Sequence, residues 1–142
     1  MPYVTQQQLT DRYGEKMLRD LSDRATPPSG AIDATVVARA LADADAMIDG
    51  YLAGRYVLPL ATTPPLLTDI AGAIAIYKLH RQVAAEKIRL DYEDAVKRLG
   101  DLGRGVIRLS VSGVEPDGSS AGSVRTNSPA RPLGNGTMEG LI

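Results

Sequence analysis

Apolar residues recur along most of the chain at steps of three and four, the spacing that lines one face of a helix. Leu9, Tyr13, Met17 and Leu21 form the first such row. Thr5, followed three residues later by Gln8, has the form of a capping box, in which each side chain satisfies a backbone donor left free by the first turn. A helix is therefore expected to begin there. The Pro, Ser and Gly of RATPPSGAID end it in a loop over 24–32. Asp33 is placed to cap a second helix, whose stripe is Val37, Leu41, Ala44, Ile48 and Tyr51, with Asp43, Asp45 and Asp49 mostly off it. Gly54 is expected to end this helix in a left-handed conformation.

The stretch RYVLPLATTPP cannot be helical throughout, because Pro59 restricts Leu58 to extended backbone and has no amide to donate. It is expected to be a connector pinned by its apolar side chains. Thr63, Pro64 and Pro65 open a third helix, with proline at a first-turn position where its missing amide costs nothing. Leu67, Ile70, Ile74 and Tyr77 face one way, and Ala71, Gly72, Ala73 and Ala75 are small enough to let a neighbour approach, so this helix is expected at the centre. Ile88, Tyr92, Ala95, Leu99 and Leu102 define a fourth helix. Its polar face carries the i,i+4 pairs Lys87/Asp91, Arg89/Glu93, Glu93/Lys97 and Asp94/Arg98. VIRLSV, residues 106–111, alternates like a short strand, one that needs a partner. The fold class predicted is mainly α: a small four-helix bundle over residues 1–112, a short C-terminal strand, and a long extended tail over 113–142.

Composition narrows what such a domain can do. Trp, Phe and Cys are absent, so the core must be aliphatic with help from six tyrosines, and neither disulfides nor thiolate metal sites are open to it. Sixteen Lys and Arg against 17 Asp and Glu give a net charge of −1, which supplies no general attraction to nucleic acid. The N-terminus lacks a basic and then apolar leader, and no segment has the apolar length of a membrane span, so a soluble, non-secreted protein without a membrane partner is expected. The tail, rich in Gly, Ser, Pro and Asn, holds too little apolar area to offset its ordering entropy alone. Its thirty residues, fully extended, reach on the order of 100 Å, enough to dock on another molecule.

Candidate chemistry is thin. His80 is the one histidine, without thiols or further imidazoles to complete a metal site, and is better placed to serve the end of the third helix. The Asp43, Asp45 and Asp49 run lacks the glycine and glutamate of a calcium loop, and Glu93 and Asp94 point apart on a helix. GDLGRGVIR follows a helix and precedes a strand, the reverse of a phosphate loop, and no serine sits in a nucleophile elbow. No enzyme activity and no cofactor are expected. Lys78, Arg81, Lys87 and Arg89 around the break between the third and fourth helices give a second reading, a small helical DNA-binding or regulatory module, though acidic residues interleave with them.

DADAMIDGYLAGRYVLPL, then LLTDIAGAIAIYKLH and DYEDAVKRLGDLGRGVIRL, occur in the order seen in the head-tail connector family of Mu-like phages, which residues 1–112 resemble. The ending NSPARPLGNGTMEGLI is similar as well, with Leu133 where an aromatic is typical. The resemblance implies a helical adaptor that forms a dodecameric ring beneath the portal protein in the virion neck, after synthesis in the host cytoplasm. It would extend the channel for double-stranded DNA without sequence preference and meet a downstream stopper or tail-terminator protein. Ile48, Tyr51, Leu52, Tyr56, Leu58, Pro59 and Leu60 match the family motif and are read as fold core. Arg55, a charge in an apolar setting, is the candidate for contact with a neighbouring subunit. Anchors on the portal or a neighbour are expected at Ile107, Leu109, Val111, Arg125, Arg131, Leu133, Met138 and Leu141, with main-chain bonds from a sheet edge or groove.

Overall fold

The computed structural model of the protein describes residues 2–109. Five helices follow one another: α1 Gln6–Tyr13, α2 Glu15–Ser22, α3 Ala34–Leu52, α4 Pro65–Leu79 and α5 Glu86–Arg104. No strand forms among the described residues, so the mainly α class holds, with one more helix than the periodicity predicts. The expected first helix is two. Gly14 takes φ 91° and ψ 147°, which a side chain would oppose, and its amide closes α1 on the Thr10 carbonyl at 2.8 Å.

The capping box at α1 forms as expected: Thr5 N–H donates to Gln8 Oε1 at 2.9 Å, and Gln8 N–H to Thr5 Oγ1 at 3.2 Å. Val4 before the cap and Leu9 in the next turn are both fully buried, a hydrophobic staple that draws the N-terminal segment onto the bundle. Asp33 caps α3 through Thr35 N–H at 3.0 Å, and the Asp33 amide donates to the buried Ser22 hydroxyl, tying the 23–33 loop to α2.

α4 is the centre of the molecule. Nine of its fifteen residues are buried, including Leu67, Ile70, Ile74, Ile76 and Leu79, and α1, α3 and α5 all pack on it. A Cβ built on Gly72 would lie 3.6 Å from Arg12 Cδ and 4.0 Å from Leu9 Cδ1, so the small residues do let α1 cross closely. α3 buries Val37, Ala40, Ala44, Ile48 and Leu52, a stripe rotated from the expected one. Leu41 is half-buried and Tyr51 exposed, since four-residue steps carry the buried face on to Leu52. Nor does Gly54 end the helix in a left-handed turn. The Leu52 carbonyl accepts the amides of both Arg55 and Tyr56, at 3.0 and 2.8 Å, so the chain turns without positive φ.

From there RYVLPL crosses the bundle as a strap, with Tyr56 buried, Leu58 and Leu60 half-buried on the core, and the Leu58–Pro59 peptide cis. Pro65 occupies the first turn of α4, but Pro64 rather than Thr63 stands at the cap. α5 buries Ile88, Ala95, Leu99 and Leu102, and Tyr92 stacks on Tyr77 of α4 at 4.0 Å between centroids. Left-handed geometry appears at the end of α5, where Gly105 has φ 78°. Val106 and Ile107 both donate to the Asp101 carbonyl, at 2.9 and 3.3 Å. Over 106–109, the described part of the strand expected over 106–111, no strand forms: the amides of Val106 and Ile107 close the helix and are not available to a ladder. Residues 110 and 111, and the tail expected over 113–142, lie outside the described residues.

Two pairs of substitutions test this account by chemical denaturation. Ile74→Ala in α4 is expected to lose about 2–5 kcal/mol, whereas Leu90→Ala on the exposed face of α5 stays within about 0.5. Gly105→Ala, whose Cβ would overlap the Arg55 guanidinium in a left-handed backbone, is expected to lose about 1–2 kcal/mol. Gly50→Ala, which meets open space within α3, is the tolerant control.

Candidate assembly surface

The end of α5 and the end of α3 form one junction. At Gly103 the helices come so close that an added Cβ would stand 3.1 Å from the Tyr51 carbonyl oxygen. Two residues on, the Arg55 guanidinium lies over Gly105. The Leu109 amide then donates to the buried Tyr56 hydroxyl at 3.3 Å, fixing the point from which the chain continues to residue 110. Arg55, expected at a subunit contact, is half-buried against its own chain here. Leu109 is buried and Ile107 half-buried in the chain's own core, while Val106 between these positions and α5 is 71% exposed. Val57 and Tyr51, from the facing turn and strap, are 67% and 38% exposed. Val111, Arg125, Arg131, Leu133, Met138 and Leu141 lie outside the described residues.

A second feature was not anticipated from the sequence. Tyr3 N–H donates to Asp45 Oδ1 at 3.0 Å and Tyr3 O–H to Asp49 Oδ1, so two carboxylates one turn apart on α3 hold the N-terminal segment. Burial first, then the Asp49 carboxylate, pushes the Tyr3 phenol well above its usual value near 10. Burial likewise raises the Asp45 carboxyl above its ordinary value, against the hydrogen bond from Tyr3. Beside this latch a cleft of about 280 Å³ opens between Tyr3, Asp49 and the strap residues Leu58, Pro59, Leu60 and Thr63. Val4 at the staple position signals that the N-terminal segment lies on the bundle, but nothing local points to Asp45 and Asp49 as the partners of Tyr3.

On another side of the bundle, Asp69 of α4 receives Arg12 of α1 at 2.7 Å and Arg98 of α5 at 3.3 Å. All three side chains are one-third exposed or more, so this bridge orients helices more than it stabilises them. Arg98 thus reaches across to α4 instead of pairing along its own helix with Asp94. Lys87 and Arg89 do make their expected pairs, to Asp91 at 2.9 Å and Glu93 at 2.7 Å. Those two cations are therefore already partnered, which weakens the basic face a DNA-binding module would need. His80 Nδ1–H donates to the Ile76 carbonyl at 2.8 Å and Arg24 to the Leu79 carbonyl at 3.3 Å; both serve the end of α4. Among the described residues no group of three or more His, Cys, Asp or Glu is placed to hold a metal ion, and no helix is long and apolar enough to cross a membrane.

The sequence profile of the family described as Bacteriophage Mu, Gp36 matches residues 3–128. The chain belongs to the Mu gp36 family. It is 34% identical over 140 residues to the Mu-like prophage FluMu protein gp36 of Haemophilus influenzae, covering 99% of this chain and 98% of that one. It is 35% identical over 132 residues to gene product J of Escherichia phage Mu, covering 91% and 93%. For this gp36 relative, the family match runs through the junction and past residue 109, so the helical domain and the first part of the segment beyond it share one family pattern.

The Tyr3 latch has a pH signature. A phenol raised in the folded state contributes stability that is complete below about pH 10 and is lost as pH rises above it. Urea denaturation at pH 8 and pH 11 is expected to show a loss of about 1 kcal/mol at the higher pH, and Tyr3→Phe to be less stable at pH 8 with a flatter alkaline arm. An unchanged arm in Tyr3→Phe would assign the alkaline loss to other groups, such as the half-buried Tyr13 phenol, which partial burial also raises.

Proposed function

We propose that this gp36 family member is the head-tail connector adaptor of its phage: copies form a ring, dodecameric in the simplest case, under the portal protein, prolong the DNA channel and present a platform to a stopper or tail-terminator protein. It acts by assembly and not as an enzyme, in the virion neck, and takes no cofactor. The observation that carries this reading is the junction. Gly103, Gly105 and the Tyr56–Leu109 bond fix the start of a segment of more than thirty residues on a rigid helical domain. A domain that anchors a long segment at a defined point is suited to hold one partner with the segment while the domain meets another.

In this reading Arg125, Arg131, Leu133, Met138 and Leu141 are the side-chain anchors, with Val111 nearer the junction. Ordering such a segment on binding makes each contact weak, and a closed ring multiplies it. Arg55 contributes by stiffening the junction from within, and Val106 replaces the buried Leu109 as the apolar side chain available there. Double-stranded DNA passes through the ring without sequence-specific contacts, which a net charge of −1 favours by holding phosphates weakly.

The test is the mass of the complex formed when the full chain, or a chain ending at Gly113, is mixed with the portal protein of the same phage. A ring-sized assembly is expected from the full chain, none from the shortened one, and neither should retard duplex DNA. Failure of both chains to bind the portal, or a salt-dependent shift of DNA, would replace the connector by the DNA-binding reading.

A further inference from the structure

The cleft beside Tyr3 is lined by Tyr3, Asp49, Leu58, Pro59, Leu60 and Thr63, with no lysine or arginine among them. Asp49 is the acidic residue of that lining, and Asp45 stands one turn earlier on α3 against the Tyr3 amide. The opposite wall of the cleft is apolar, formed by Leu58, Pro59 and Leu60 of the strap. Such a site suits an extended segment that presents a cation next to small apolar side chains. The chain outside the described structure holds one. Residues 118–138 carry two arginines and no acid, and Arg131 is followed directly by Pro132 and Leu133.

The position of the cationic stretch along the chain decides which part of the segment fits the cleft and how far it can reach, and the trapping experiment below separates a neighbouring copy from the same chain. Tyr56, two residues before the strap wall of the cleft, holds Leu109, so one end of the cleft starts near the exit point of its own chain in space. The first residues beyond that exit carry Glu115 and Asp117, the wrong charge for an acidic cleft. Arg131 comes more than twenty residues after the exit, a contour of about 70 Å. A domain of this size has a radius of gyration of about 13 Å, so that contour spans to an adjacent copy with length to spare.

We infer that the cleft between Asp49 and the Leu58–Leu60 strap receives Arg131, Pro132 and Leu133 from a neighbouring copy, the guanidinium on Asp49 and the proline and leucine on the strap. The contact is heterologous, each copy giving its C-terminal segment to the next, and it closes into a ring when the rotation between copies divides a full turn. It rests on the connector reading for its purpose and not for its chemistry. Tyr3 becomes a positioning residue, holding the Asp49 carboxylate at the cleft through its hydroxyl.

Because the chain has no cysteine, the contact can be trapped directly. Full-length Thr63→Cys and Ala130→Cys chains carrying tags of different size are mixed, with and without the portal protein, and oxidised. Thr63 is exposed on the cleft wall, and Ala130 precedes Arg131. A disulfide between the two differently tagged chains is expected, and adding Arg131→Glu to the second chain lowers its yield about tenfold, since like charges then face each other. No disulfide in either mixture, or a Thr63→Cys/Ala130→Cys double variant that closes only within single chains, overturns the inference. The mass of the same mixtures separates the two readings. A portal-bound ring without the interchain disulfide removes this contact and leaves the connector, whereas the disulfide without portal binding keeps the contact and removes the connector.

Discussion

Helix α4 has to be surrounded. Leu67, Ile70, Ile74, Ile76 and Leu79 point to different sides of one helix and all are buried, so no arrangement with a solvent-facing α4 satisfies the sequence. The core contains no phenylalanine or tryptophan, and so its density has to come from close approach of aliphatic side chains and backbone. Ala71, Gly72, Ala73 and Ala75 permit that approach, and α1, α3 and α5 take the space they leave. The Tyr77–Tyr92 stack then sets the rotation of α5 against α4. Every other feature hangs on this packing: the strap must bring the chain to the start of α4, and the end of α5 must return beside the end of α3.

Helix ends do much of the positioning. At the end of α4, His80 and Arg24 supply donors to the last carbonyls, and this lone histidine is thereby committed to structure. At the end of α5 the left-handed Gly105 and the Asp101 carbonyl reverse the chain toward Tyr56. The Arg55 guanidinium occupies the space that any side chain at 105 would need. Glycine and arginine are thus two halves of one device, which neither residue reveals alone.

That pairing marks the limit of what the sequence makes legible. α3, α4 and α5, the capping box at Thr5 and the strap around Pro59 are readable because each rests on a local rule of period, cap or proline geometry. The break at Gly14 is hidden because Leu9, Tyr13, Met17 and Leu21 keep helical spacing across it; only the backbone at the glycine changes. Residues 106–111 alternate as a strand would, yet a helix-closing turn asks for the same mixture of apolar and polar positions, and at Val106 and Ile107 the Asp101 carbonyl decides for the turn. The Tyr3 latch depends on Asp45 and Asp49, more than forty residues away, a separation no periodicity can bridge. Candidate anchors in the tail are legible only as residue types, since their meaning depends on the surface they meet.

Charge along the chain is partitioned in a way the net value conceals. Segments 2–11, 40–54 and 56–77 hold no cation, while the cations of the described residues, Arg55 apart, fall in 12–39 and 78–108. Several of these are already spent within the fold, Arg12 and Arg98 on Asp69, and Lys87 and Arg89 along α5. A two-fold contact through the cleft would set Asp49 against its own equivalent, and like charges facing each other disfavour it. The proposed contact between unlike surfaces instead brings a cation to it. In the proposed contact the acidic surface and the arginine-bearing segment lie at different places along the sequence, so repeating it would run in one direction, with a ring as the closed form.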